Sequence, residues 1–264
     1  MNIKYIFSEG RFLLSSLSLK RFSNAISALL SYVLSIISHR PVIWGLPYSC
    51  SIEPTNHCNL HCPECPSGMG TLKRKRGEIS LEDFKILIDA IKHHTTFLTL
   101  YLQGEPLLNR NLAEMIRYAS EERIYTTIST NGQILNESTA KEIVLSGLKK
   151  LIVSIDGTDQ DSYQKYRRNG SLDKALLGIK NIIKLRKENG LSHPLVILQF
   201  IVFSTNENQL QQIRELGKDL HVDKIEIKTA QHYDLSADNP LITSLEKYRR
   251  YKRGPDGNWV LKNA

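Results

Sequence analysis

Between Ser18 and Ser38 the apolar residues Phe22, Ile26, Leu29, Leu30, Val33 and Ile37 recur at steps of three and four, with Lys20, Asn24, Ser27, Ser31 and Ser35 on other faces. That period predicts an amphipathic helix. A stripe at this spacing is expected to face a core. The sharper expectation beside it is peripheral membrane contact through residues 18–38, because Lys20, Arg21 and Arg40 stand at the helix ends with no acid between them. The apolar run itself, Ala25 to Ile37, is about thirteen residues, short of the roughly twenty that cross a bilayer. No membrane span is expected from it.

Downstream, short apolar runs alternate with longer helical patterns, as parallel strands joined by crossover helices do. Strands are expected at Tyr48 to Glu53, Phe97 to Gln103, Tyr125 to Thr130, Lys150 to Ile155, Leu195 to Phe203 and Lys224 to Lys228. Helices are expected at Leu81 to His94, Asn111 to Glu122, Glu137 to Leu145, Leu172 to Glu188 and Glu207 to Leu220. Gly132, Gly147, Gly157, Gly190 and Pro194 punctuate them. Six such steps are too few for an eight-unit barrel of roughly 250 residues, which leaves an open, curved three-quarter barrel or a doubly wound sheet. Either places its chemistry at the carboxyl ends of the strands, and the polar, glycine-rich segments here follow the strands rather than precede them.

Composition adds limits. In 264 residues, 41% hydrophobic and 23% charged, there is material for a globular core and little for disorder. The net charge of +8 is spread in short clusters, so a nucleic-acid partner is not expected. Lys73 to Arg76 and Tyr248 to Arg253 read as solvated basic faces. Met1 to Leu14 carries Lys4, Glu9 and Arg11 without the apolar core of a secretory signal, and three of the four cysteines fall within eight residues, a ligand cluster rather than a set of disulfides. A cytoplasmic, reducing location follows as the expectation.

The first strand runs into Glu53-Pro-Thr-Asn-His-Cys58-Asn-Leu-His-Cys62-Pro-Glu-Cys65-Pro. Thiolates select zinc or iron–sulfur clusters, and the fourth ligand distinguishes them. A structural zinc site closes with four protein ligands, which here would draw on His57, His61 or Cys50. Cys50 reads as a small buried hydrophobe, and the two histidines read as solvated or supporting groups. An iron–sulfur cluster on three thiolates leaves one iron open to a cofactor or substrate.

This pattern resembles the radical S-adenosylmethionine (radical SAM) superfamily. Cys58-Asn-Leu-His-Cys62-Pro-Glu-Cys65-Pro-Ser-Gly, Gln103-Gly-Glu-Pro106, Ser129-Thr-Asn-Gly132, Ser154-Ile-Asp156 and Tyr166-Arg167-Arg-Asn-Gly170 occur in the order that superfamily uses. The resemblance implies an α/β fold, a partial (β/α)6 TIM-like barrel at 46–232, preceded by a helical extension at 1–45 with its amphipathic helix and followed by a tail at 233–264. It implies one 4Fe-4S cluster on Cys58, Cys62 and Cys65 and S-adenosyl-L-methionine beside it. Gly104 and Glu105 would meet the methionyl amine, where a carboxylate accepts from an ammonium. Ser154 and Asp156, two apart on one face of the pleat, would grip the ribose diol, with Asn131 positioning the same cofactor. Arg167 would clamp the methionyl carboxylate in bidentate fashion.

The chemistry implied is one-electron reductive cleavage to a 5′-deoxyadenosyl radical that takes hydrogen from a substrate, a peptide or a small molecule. It calls for a flavodoxin- or ferredoxin-like reductant, and no acid–base pair is assigned. One departure is Glu64, where the superfamily often has an aromatic residue. The wording around the cysteines is similar to members that continue into a cysteine-rich SPASM domain. No cysteine follows Cys65, so a truncated approach to such a domain, and an inactive core, is the expectation for 241–264. A zinc-binding module or a catalytically silent iron–sulfur accessory protein are the alternative readings.

Overall fold

The computed structural model describes residues 3–262. Two helices come first, α1 (Ile3–Ser15) and α2 (Leu19–Ser38). The chain then enters β1 (Ser49–Ser51), passes a long loop holding the four-residue α3 (Pro66–Met69), and returns through α4 (Leu81–Ile91) to β2 (Phe97–Thr99). The unit repeats as α5 (Leu112–Glu121) to β3 (Tyr125–Thr130), then α6 (Glu137–Leu145) to β4 (Lys150–Ser154). It continues through α7 (Gln160–Tyr166) and α8 (Leu172–Glu188) to β5 (Leu195–Val202), and through α9 (Leu210–Asp219) to β6 (Lys224–Thr229). The six strands pair in chain order, all parallel. An order that never reverses has no switch point, so the fold is the partial (β/α)6 barrel and not the doubly wound sheet.

The sequence explains the layers. β3, β4 and β5 are buried on both faces, as parallel strands covered by helices must be; β5 is apolar at every position but Gln199, whereas β3 carries threonine at 126, 127 and 130. Leu98, Ile128, Leu151, Val153 and Leu198 meet Phe84, Met115, Ile143, Ile179 and Ile182 in one core. Helix starts are fixed by side-chain caps: Ser80 accepts from the Asp83 amide at 3.0 Å, Asn136 from Thr139 at 3.0 Å and Asp159 from Ser162 at 2.8 Å. β1 and β2 are half the expected length because the chain peels from the ladder early, although Ile52 still donates to the Thr99 carbonyl at 2.9 Å and Leu100 to Thr127 at 2.8 Å. The expected helix from Glu207 opens as a short 3-10 turn, Glu207–Gln209, before α9.

α1 closes the amino end of the barrel. Its Tyr5 and Phe12 are buried with Tyr125, Ile152, Leu195 and Ile197, and Glu9 ion-pairs with Lys150. The apolar pattern does not predict this helix, because a charged Glu9 stands on the face that points inward.

α2 reverses the expectation placed on it. Phe22, Ile26, Leu29, Leu30, Val33 and Ile37, the residues assigned to a core, are all exposed, and the buried positions are Arg21 and Ser31. Hydrogen bonding rather than apolar contact holds the helix to the barrel. It spans 20 residues, by length and composition enough to cross a membrane, beyond the thirteen-residue run that argued against one.

Residues 230–262 fold over the carboxyl end of the barrel, closing with an antiparallel hairpin of β7 (Tyr251–Arg253) and β8 (Trp259–Leu261). Ser204 donates to the Leu241 carbonyl at 3.1 Å, and the Glu207 carboxylate accepts from the Ser244 amide at 2.8 Å.

Candidate active site

The loop after β1 is held at both ends before it reaches the cysteines. Glu53 accepts from the amides of Gln103 at 2.7 Å and Gly104 at 3.3 Å and ion-pairs with Arg74. The Asn56 side chain donates to the Lys75 carbonyl and accepts from the Gly77 amide, both at 2.8 Å. Between these clasps the chain presents Cys58, Cys62 and Cys65 to a cavity of about 350 Å³ at the carboxyl ends of the strands. Cys65 opens α3, its carbonyl accepting from Met69 at 2.8 Å, and its amide donates to the Cys62 carbonyl at 3.2 Å. Burial pushes the Cys58 thiol up and the Cys62 thiol to about 11, the nearby Arg167 guanidinium opposing the rise in both.

Gly104 sits where two backbones touch. A β-carbon there would lie 2.1 Å from the Thr55 carbonyl oxygen, so only glycine lets the β2 loop press against the cysteine loop. The next amide, Glu105, donates to the His57 carbonyl at 2.8 Å. The Glu105 carboxylate is buried and accepts from Thr130 Oγ1 at 2.7 Å, the Asn131 amide at 2.7 Å and the Leu107 amide at 3.2 Å. Burial raises its pKa against those three donors. A carboxylate has about four acceptor sites, so one remains for a ligand. Asn131 donates to Asn59 Oδ1 at 2.7 Å, and its Nδ2 stands 4.0 Å from Cys58 Sγ.

The far wall rests on an ion pair. Asp156 Oδ2 accepts from Arg167 Nε at 2.7 Å and faces Nη2 at 2.6 Å, while Oδ1 accepts from the Ile201 amide at 2.7 Å. Arg167 Nη1 turns to Cys62 Sγ at 3.9 Å. Burial raises the Asp156 pKa, with Arg167 pulling the other way. Arg167 faces the cavity and Asp156 stands behind it, fully buried. The guanidinium fork expected to clamp a ligand is therefore taken by Asp156, leaving Nη1. Of Ser154 and Asp156, expected together on one diol, Ser154 lines the cavity and Asp156 does not. Arg168 is exposed, which distinguishes the two neighbouring arginines.

Cys58, Cys62, Cys65, Gly104, Glu105, Asn131, Ser154 and Arg167 all line this one cavity. Cys50 lies in β1 with its sulfur 3.5 Å from Thr95 Oγ1, and the exposed His61 ring meets Asn169 Nδ2 at 2.8 Å. Neither lines the cavity, and nor does His57, so the geometry gives the zinc reading no fourth ligand from these three. Among the described residues no three His, Cys, Asp or Glu side chains converge on a single-ion site. The donor set, three soft sulfurs around a roomy cavity, fits an iron–sulfur cluster.

Sequence reasoning missed the partners of Glu64. Its buried carboxylate contacts His232 Nδ1 at 3.0 Å and accepts from Asn239 Nδ2 at 2.9 Å and the Tyr233 amide at 2.8 Å. A charged residue between two of the clustered cysteines, Cys62 and Cys65, was the available signal. In place of the aromatic residue, Glu64 ties the cysteine loop to the segment after β6. Lys73 to Arg76 are exposed, with Arg74 reaching Glu53.

An open parallel barrel carrying three thiols on its first loop, faced by a carboxylate, a carboxamide and a guanidinium, defines a β/α scaffold built around a metallocluster site. The Radical SAM superfamily model matches residues 52–222, and the chain belongs to that superfamily, whose members bind a 4Fe-4S cluster and S-adenosylmethionine. It is 29% identical over 185 residues to Fe-coproporphyrin III synthase of Methanosarcina barkeri, covering 70% of this chain and 42% of that protein. It is 23% identical over 212 residues to PqqA peptide cyclase of Bradyrhizobium diazoefficiens, covering 78% and 54%. SuiB of Streptococcus suis bound to its precursor peptide SuiA superposes with a TM-score of 0.63 at 16% identity, covering 81% of this chain and 45% of that one. The chain spans about half the length of the curated relatives it matches.

Proposed function

We propose that the protein is a radical SAM enzyme that holds a 4Fe-4S cluster on Cys58, Cys62 and Cys65, with S-adenosylmethionine beside it, and acts on a peptide or small-molecule substrate. The observation that carries this reading is the convergence of the three thiols with Glu105, Asn131, Ser154 and Arg167 on one cavity. When bound, cluster and cofactor together supply one chemistry: an electron from a flavodoxin- or ferredoxin-like donor breaks the bond between sulfur and the 5′ carbon, and the released adenosyl carbon takes hydrogen from the substrate.

This chain's residues bind and orient. Glu105 Oε2 and Oε1, fixed by Thr130 and the Asn131 amide, offer their remaining acceptor site to the methionyl ammonium. Arg167 Nη1, held by Asp156, offers an N–H to the methionyl carboxylate, so Asp156 is a positioning residue rather than a ribose ligand. Ser154 is the hydroxyl left to meet the ribose. Leu60, Tyr166 and Phe203 line the cavity with apolar surface, which keeps water from a reactive carbon. The relatives named above are a peptide cyclase and a coproporphyrin synthase, and both substrate classes suit a cavity open at its mouth.

The test is to reconstitute the full chain anaerobically with iron and sulfide, reduce it with dithionite, and add S-adenosylmethionine. Formation of 5′-deoxyadenosine supports the proposal. Iron-loaded, reduced protein that binds the cofactor weakly and forms none establishes the catalytically silent reading instead.

A further inference from the structure

α2 wears its polar side inward. The Arg21 guanidinium donates to the carbonyls of Ser16 at 2.6 Å, Lys92 at 2.7 Å, Glu122 at 2.7 Å and Arg123 at 2.8 Å, all at the amino end of the barrel. The return segment 41–48 then runs back along the helix. Asn24 Nδ2 donates to the Leu46 carbonyl at 2.9 Å, Val42 donates to Ser35 Oγ at 2.8 Å, and a β-carbon on Gly45 would lie 2.7 Å from the Ala28 nitrogen. Polar positions 21, 24 and 35 are thereby occupied by protein.

What is left outside is apolar. Leu19 is 89% exposed, Ile37 71%, Leu30 53% and Val33 44%, and the return segment adds Ile43 at 83% and Trp44 at 61%. A surface of this extent marks an interaction site. Its charge says with what. From Gly10 to Ile52 there is no Asp or Glu, while Lys20 and Arg40 stand exposed at the two ends of α2. Tyr32, Trp44 and Tyr48, all exposed, are the amphipathic aromatics that settle at a headgroup layer. An apolar stripe with cationic ends and no acid complements an anionic lipid surface.

We propose that α2 and residues 41–48 attach this protein to the surface of an anionic lipid bilayer. The helix lies in the interface with Phe22, Leu30, Val33 and Ile37 turned to the acyl boundary and Lys20 and Arg40 among the headgroups. It does not span, because the irregular return segment carries backbone groups that hydrocarbon would leave unsatisfied, and because the polar face is bonded to the barrel and to its own return.

The experiment is co-sedimentation of the full chain with vesicles of phosphatidylcholine and phosphatidylglycerol in roughly equal parts, against phosphatidylcholine alone, at about 0.1 M salt. Most of the protein sediments with the anionic vesicles and about tenfold less with the neutral ones. The double variant Leu30→Glu with Val33→Glu changes only exposed positions, keeps the parent's circular dichroism and melting, and loses about tenfold in vesicle binding. Lys20→Glu with Arg40→Glu abolishes the preference for phosphatidylglycerol. Protein left in the supernatant, equal sedimentation with both vesicle types, or undiminished binding by the Leu30→Glu, Val33→Glu variant overturns the proposal. So does light scattering that shows a dimer which that variant dissociates while vesicles capture neither protein, since the face would then meet a second copy.

Discussion

Arg167 Nε and Nη2 converge on Oδ2 of Asp156 at 2.7 and 2.6 Å, deep behind the cavity wall, and this one contact decides which arginine of the Arg167-Arg168 pair serves the site. Removing one partner strands a buried charge, which costs about 3–5 kcal/mol. Asp156→Asn is therefore expected to lower the urea midpoint of the cluster-free protein strongly, and Asp156→Asn with Arg167→Gln to recover part of the loss. A double-mutant cycle measures the coupling. Arg168→Ala, at an exposed position, is expected to stay within about 0.5 kcal/mol of the parent. Equilibrium dialysis is expected to show its S-adenosylmethionine affinity unchanged.

Glu64 predicts how the segment after β6 is held. Glu64→Ala leaves the Tyr233 amide without its acceptor, at about 1–3 kcal/mol, and takes one of two acceptors from Asn239 Nδ2, which keeps the Asp234 carbonyl. Hydrogen exchange at Tyr233 should quicken by about tenfold or more. Glu64→Gln keeps one acceptor and should fall between. Unchanged exchange in the alanine variant would show that the loop and the segment are held by other contacts.

Gly104→Ala sets a methyl group against the Thr55 carbonyl. With 2.1 Å available, the β2 loop must retreat from the cysteine loop, a strain of about 1–3 kcal/mol. Iron bound after reconstitution is expected to fall by more than half while the helical circular dichroism is kept. Full iron loading in this variant would contradict the role given to the contact.

His193 gives a pH dependence at the amino end of the barrel, remote from the cysteines. Burial, with the Lys149 ammonium adding to it, pushes the ring down from 6.5 to about 4. Between those values the unfolded chain binds the extra proton and the folded one does not, so stability is lost as pH falls through that window. The ring is partly solvated, which reduces the loss to about 1–2 kcal/mol. Urea midpoints at pH 7 and pH 4.5 should differ less for His193→Gln than for the parent.

The sequence carried the site better than it carried the surface. Cys58, Cys62 and Cys65, with Glu105, Asn131 and Arg167 after later strands, were legible because strand ends are punctuated by glycine and polar residues whose order survives in one dimension. The roles within the set were less so. Period-two reasoning set Ser154 and Asp156 on one face, whereas Ser154 lines the cavity and Asp156 is buried behind Arg167, and nothing local says that Arg167 reaches back to neutralise it. α2 was legible as a helix and misread in direction, because periodicity reports an apolar face without saying what covers it. α1 was invisible because Glu9 meets Lys150 beneath it at the amino end of the barrel, and a half-buried ion pair on the inward face breaks the pattern that marks a helix.

The central claim is that three thiols hold a cluster with one iron open to S-adenosylmethionine. Electron paramagnetic resonance of the anaerobically reconstituted, dithionite-reduced protein, recorded before and after adding S-adenosylmethionine, tests it most directly. The account predicts a reduced 4Fe-4S signal whose line shape changes on addition, and no such signal when Cys58, Cys62 and Cys65 are all serine. A signal indifferent to S-adenosylmethionine, one that survives the three serines, or a protein that takes up zinc and no iron would contradict it.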